Sequence, residues 1–174
     1  LMLKRLFTLF FFLIFTFNTN AEIQKIVYID IEKIMQQSVA GKNFINLLEK
    51  KHKTNISKFK KENEQIKEKE KKLITQKNIL SPQDFQKELS KLRDEITNFQ
   101  KNQVKARNEI NKLRVLGTNE MINEITPILE SYAKENEINL ILQKKNIVMG
   151  KKEMEITDNI ITLADKKIKK INLD

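Results

Sequence analysis

The sequence predicts a mainly helical α+β protein, a small strand-containing oligomerisation body with a long antiparallel coiled-coil hairpin arm inserted into it. Three observations predict this class. Gly (3) and Pro (2) are too scarce for an all-β fold, and the absence of Cys removes disulfides as a support. A seven-residue apolar stripe runs through the lysine-rich middle of the chain, breaks once and resumes. Short β-branched runs lie toward the two ends rather than in that middle.

The elements follow in chain order. Lys4 and Arg5 precede the apolar run Leu6–Phe17, and Thr19-Asn20-Ala21 supplies small residues at the positions signal peptidase reads. The run is well short of the ~20 residues that span a bilayer, so residues 1–21 are expected to be a cleaved signal peptide, with the mature chain starting at Glu22. No Cys follows the run, which excludes a lipoprotein. Lys25-Ile26-Val27-Tyr28-Ile29-Asp30 reads as a strand buried on both faces. Asp30 then caps a short helix carrying Ile31, Ile34 and Met35, and Ser38 offers the next N-cap.

From Gly41 the stripe is Ile45, His52, Phe59, Ile66, Leu73 and Leu80. Its partner positions begin apolar at Leu48 and turn polar at Asn55, Glu62, Lys69 and Gln76, which leaves half of a coiled-coil seam and a partly packed His52. Ser81, Pro82 and Asp84 suit N-cap, N1 and N3 of a returning helix. That helix carries Phe85, Leu89, Leu92, Ile96, Phe99, Gln103, Ala106, Ile110 and Leu113 in unbroken alternation. Beyond Leu113 the apolar set widens as the helix enters a core, Pro127 is expected to kink it, and Asn136 to end it in the left-handed region. Ile138–Leu142 and Ile147–Met149 read as two strands with Gly150 in a turn, and Thr157 as the cap of a last helix with Ile160, Ile161, Ala164, Ile168 and Ile171 inward. The expected organisation is therefore 22–41 with 115–174 as the body and 42–114 as the arm, its tip near 78–84.

Charge follows the same division. Residues 50–78 carry +7 and 83–114 carry +3, while 22–49 and 115–174 each carry −1. Lys50, Lys51, Lys53, Lys58, Lys60 and Lys61 make the densest cluster, and Lys67, Lys69, Lys71 and Lys72 extend it toward the tip. Lysine makes a diffuse field rather than a bidentate phosphate grip, and aromatics are not interleaved with it, so specific nucleic-acid recognition is not expected. In an envelope compartment the fitting anionic partners are lipid headgroups, lipopolysaccharide and acidic unfolded polypeptides. Exposed charge of this kind steers encounter, and weak apolar contacts hold what it captures.

Little here carries chemistry. With no Cys and His52 alone, there is no thiolate or imidazole cluster for a metal. Neither Gly41-Lys42 nor Gly150-Lys151 has the upstream Gly of a phosphate loop, and the carboxylate pairs Glu135/Glu137 and Glu153/Glu155 fall in polar turns. A non-enzyme without cofactor is expected. A small core without disulfides calls for oligomerisation, and the candidate strands for it are Ile26, Val27, Tyr28 and Ile29 with Ile138, Leu140 and Leu142.

The run Ile26–Asp30 followed by Glu32–Lys42 resembles the start of the OmpH/Skp periplasmic chaperones: a strand ending in Asp, a short helix, then Ser and Gly-Lys opening a charged long helix. Tyr132–Asn136, Ile138–Leu142, Ile147–Met149 and Glu155–Asp158 are similar to that family's closing strands and last helix, with Asn136 standing where the family often has Gly. The resemblance implies a homotrimer whose strands associate centrally, with helical arms around a cavity. It also implies ATP-independent binding of unfolded outer-membrane proteins in the periplasm, so the arm lysines become the expected client-binding residues. A second reading is a non-catalytic coiled-coil scaffold of the envelope, tethered through an uncleaved 6–17 run. It has no use for the terminal strands.

Overall fold

The computed structural model of the chain describes residues 24–173, so the signal-peptide reading of 1–21 lies outside the described residues. Strand β1 (Ile26–Ile29) leads into helix α1 (Ile31–Gln37), the outbound helix α2 (Val39–Thr75) and the return helix α3 (Pro82–Glu135). Strand β2 (Leu140–Gln143), short 3-10 turns at Lys144–Asn146 and Lys152–Met154, and helix α4 (Thr157–Lys167) complete the chain. The strands form a two-stranded parallel sheet with Ile26 opposite Leu140 and Ile29 opposite Gln143. Helices α1, α2 and α3 all lie in the crossover between β1 and β2. At 1.5 Å per residue the 37 residues of α2 extend about 55 Å.

Helices α1, α2 and α3 start at the caps the sequence offers. Asp30 Oδ1 accepts the Lys33 amide at 3.0 Å, and Ser38 Oγ accepts that of Gly41 at 3.1 Å. Ser81 Oγ accepts the Asp84 amide and donates to the Asp84 carboxylate at 2.7 Å, a reciprocal cap that starts α3 immediately after the turn. Val27 and Ile29 from β1, Ile34 from α1, Met121 and Ile125 from α3 and Ile160 from α4 meet in one core. Phe44 and Leu48 belong to the same cluster, so the core reaches into the first turns of the outbound helix.

Two glycines let these helices approach. A Cβ on Gly41 would lie 2.1 Å from the Met35 carbonyl oxygen, and one on Gly117 would lie 2.1 Å from the Phe44 ring. The first contact is with backbone and cannot be relieved by a rotamer change. This explains why Gly stands inside the first turn of a long helix, where it costs about 1 kcal/mol against Ala.

Several sequence expectations are corrected. Ile147–Met149 is not a strand: Val148 and Met149 are fully exposed, and the second edge of β1 is met instead by the chain at Glu155, where Tyr28 and Glu155 form an isolated bridge and the Ile156 amide donates to Tyr28 O at 3.0 Å. The other expected strand runs Leu140–Gln143, so Ile138 precedes it. The left-handed residue is Glu137 (φ 55°), not Asn136, whose side-chain amide donates back to Tyr132 O. Helix α3 ends at Glu135 as expected, with Pro127 inside it, and the Ser131 hydroxyl donates to the Pro127 carbonyl. Thr157 is the first residue of α4 rather than its cap.

Thr157 is instead fully buried at a polar junction. Its hydroxyl oxygen accepts the Asp30 amide at 3.0 Å and donates to the Glu155 carboxylate at 3.0 Å. Lys144 Nζ lies 3.2 Å from Asp30 Oδ2 and 3.4 Å from Glu155 Oε2, tying the end of β1 to the segment after β2. The Lys33 amide, assisted by the Lys144 ammonium, holds the Asp30 carboxyl below its ordinary 3.8, against the opposing effect of burial. Hydrogen bonding to Asp30 and then Glu155 raises Lys144 above 10.5.

Gly41→Ala should lower the urea midpoint, because overpacking against backbone outweighs the ~1 kcal/mol of helix propensity gained. A midpoint that stays or rises would show that α1 yields freely. Asp30 is lowered on folding, so its contribution is complete above the ordinary carboxylate value and fades as pH falls through the lower folded one. Lys144 is raised, so its contribution is intact below 10.5 and fades as pH rises through its folded value. Asp30→Asn keeps an N-cap acceptor but removes the charge. It should cost about 1 kcal/mol near neutrality and nothing once both forms are neutral in acid. Parallel stability curves for the two proteins down to about pH 2 would contradict this assignment.

Candidate functional site

The arm is the antiparallel pairing of α2 with the first half of α3. All ten lysines singled out above lie exposed on α2. Lys51 reaches Glu109 at 3.9 Å and Lys69 reaches Glu95 at 2.5 Å across the hairpin. Lys53 pairs with Glu49 at 3.8 Å and Lys71 with Glu68 at 3.4 Å along the helix. Exposed pairs of this kind contribute little, about 0–1 kcal/mol each. Lys50, Lys58, Lys60, Lys61, Lys67 and Lys72 form no ion pair among the described residues, so the arm keeps most of its positive field. Large apolar side chains stand exposed among them: Leu47 and Ile56 on α2, Val104 on α3, and Ile74 and Ile79 at the tip. The arm thus carries both unpaired lysines and exposed apolar side chains.

Burial along the seam is uneven. The hairpin has a core of its own near the tip, where Ile66, Leu73 and Leu92 are buried with Leu80, Phe85, Leu89, Ile96 and Phe99 against them. Phe59 and Phe99 meet edge to face with centroids 6.0 Å apart. At the base, Leu48 and Ile110 are buried. Between these zones His52 is exposed rather than packed in the stripe, and both helices line a cleft of about 550 Å³. A half-polar seam therefore concentrates its burial at two places instead of thinning evenly. Glu62, a polar seam position, is half-buried with one carboxylate oxygen unpartnered among the described residues.

The candidate oligomerisation residues are brought together but not left equally open. Ile26–Ile29 and Leu140–Leu142 pair directly, yet Val27, Tyr28 and Ile29 are buried within the chain itself. Leu140 and Leu142 are 47% and 37% exposed, and the Val148-Met149 pair stands beyond them in the same closing segment. β2 has β1 as its one strand partner among the described residues. An apolar edge strand of this kind invites another chain. Sequence reasoning missed Val148 and Met149 as surface residues because a β-branched run followed by Gly is also what a buried strand looks like.

Among the described residues no group of His, Cys, Asp and Glu is placed to hold a metal, and no helix is long and apolar enough to cross a membrane.

Backbone amides of 50–60 and 101–108, beside the cleft, should exchange fastest within the arm helices, with slower exchange around Ile66–Leu73 and Leu92. Uniform protection along both helices would show that the cleft does not loosen the hairpin.

The fold, a small body with a long helical hairpin, has counterparts. Nothing matches among curated proteins. A solved structure with the same architecture is a candidate outer membrane chaperone (OmpH-like) from Caulobacter crescentus CB15. It superposes with a TM-score of 0.71 over 87% of this chain and 90% of that one, at 14% identity, a likeness of fold. The family profile described as outer membrane protein (OmpH-like) matches residues 25–163, from the start of β1 into α4. The chain belongs to the OmpH-like family.

Proposed function

We propose that this protein is an ATP-independent holdase chaperone of the periplasm, which binds unfolded outer-membrane proteins and prevents their aggregation in transit. The observation that carries the reading is the arm surface: unpaired lysines interleaved with isolated exposed apolar side chains on a helix about 55 Å long. Such a surface attracts an acidic unfolded chain from a distance and holds it through many weak contacts, none of which demands a particular sequence. Family membership supports it, as does the description of the structural counterpart. The role calls for neither catalysis nor cofactor.

The assembly proposed is a homotrimer joined through the outer edge of β2, with Leu140 and Leu142 at the contact and Val148 and Met149 at its margin. Covering them would remove apolar surface from water at about 25 cal/mol per Å². Three arms would then surround one basic cavity. Headgroups of lipopolysaccharide or an anionic membrane surface are secondary partners for the same lysines.

Exchanging Lys58, Lys60 and Lys61 together for Glu should slow capture of an acidic unfolded β-barrel client several-fold at low salt and leave thermal stability unchanged, since all three are exposed and unpaired. Light scattering during dilution of the client from denaturant, without ATP, reads both rate and extent. A triple variant that suppresses aggregation as well as the parent would mean that the lysines are only a solvated face. Failure of the parent itself to suppress aggregation would remove the chaperone reading.

A further inference from the structure

The cleft between the two packed zones of the arm has the character of a ligand site. Its volume, about 550 Å³, lies within the range of small-molecule pockets. It exists because small or polar residues from both helices coincide at one level of the seam, His52 and Asn55 from α2 with Gln103 and Ala106 from α3. Ile45, Leu48, Phe59 and Ile110 supply apolar wall, beside polar Asn111 and the charged groups at the border. On α2 the lining extends from Ile45 to Phe59, about 21 Å of helix, so the space is elongated along the seam.

The charge at its border is unusual for this chain. Arginine occurs only four times in the sequence, against a large excess of lysine, and Arg107 and Arg114 both line this cleft one heptad apart on α3. Neither forms an ion pair or a side-chain hydrogen bond among the described residues. The one carboxylate in the lining, Glu49, lies 3.8 Å from Lys53. Two unpaired guanidinium groups beside an elongated apolar slot match an alkyl chain that ends in a carboxylate, which Arg engages in a bidentate manner.

We propose that the cleft binds a single-chain anionic amphiphile, a free fatty acid, with its alkyl chain along the seam and its carboxylate at Arg107 and Arg114. The inference is independent of chaperone activity. The bound chain fills the loosest part of the hairpin and stiffens the arm.

The test is titration of the full chain with cis-parinaric acid, whose fluorescence rises on transfer into an apolar site. Saturable binding of one molecule per chain is expected, displaced by palmitate but not by methyl palmitate, which lacks the charge. Arg107→Gln with Arg114→Gln should weaken binding roughly tenfold or more, the scale of a lost charge-assisted contact. Ala106→Leu fills the slot without touching charge and should reduce binding by at least as much, with the helical signal retained. Asn55→Leu does the same from the facing helix should Ala106→Leu fail to fold. Hydrogen exchange at 50–60 should slow when palmitate is present. Equal competition by the methyl ester, undiminished binding by a folded slot-filling variant, or equal competition by phosphatidylglycerol vesicles at matched acyl content would each overturn the proposal. The last outcome would identify a two-chain lipid surface as the partner instead.

Discussion

Everything in this fold hangs on the parallel pairing of β1 with β2. The two strands are four residues each and lie more than a hundred residues apart in sequence, so their contact closes a very long loop. A parallel pair cannot be made by a tight turn, and here the crossover is the arm itself. Loop closure on this scale costs only a few kcal/mol more than a short one, because its entropy grows with the logarithm of length. What offsets it is the cluster of Val27, Ile29, Ile34, Met121, Ile125 and Ile160, drawn from both ends of the chain. The Asp30, Lys144, Glu155 and Thr157 junction then locks the C-terminal end of β1 to the segment that returns beside it.

The arm inherits its geometry from that body. Phe44 packs against Gly117 where the hairpin leaves the core, and Gly41 lets α1 lie on the start of α2. Outward from there the seam is sustained only where apolar residues face each other from both helices. The tip has such a cluster, the middle does not, and the basic surface runs past both. A helix pair with so little shared burial has slack to bend.

Much of this is legible in the sequence. Asp30, Ser38 and Ser81 announce helix starts because a side-chain acceptor at N-cap is a local, strongly favoured solution. The heptad stripe announces the hairpin because burial must recur with the helical period. What failed were features decided by distant partners. Ile147–Met149 has strand composition, but the place beside β1 is taken by Glu155 and Ile156. Thr157 looks like a cap, yet Asp30, 127 residues away, uses its hydroxyl. Asn136 was the better left-handed candidate by residue type, but its side chain is engaged by the last turn of α3 and Glu137 takes the strained position. The cleft was half visible. Polar seam positions at His52 and Asn55 could be read, but that Gln103 and Ala106 face them depends on the offset of the two helices, which no single helix records.

If the body holds the arm, then damage to the body must spread outward and damage to the arm must not spread back. Tyr28 and Tyr132, the two tyrosines of the chain, both belong to the body, whereas most helix lies in α2 and α3. Thermal unfolding can therefore be followed at once by the near-ultraviolet circular dichroism of tyrosine and the far-ultraviolet helical signal. In an Ile29→Asp variant, which buries an unpaired charge in β1, both signals should be lost together at a much lower temperature. In an Ile66→Asp variant the helical signal should fall early while the tyrosine signal keeps its parental midpoint. Helical signal that survives loss of the tyrosine signal in the Ile29→Asp protein would contradict the account, because it would show an arm that stands without its body.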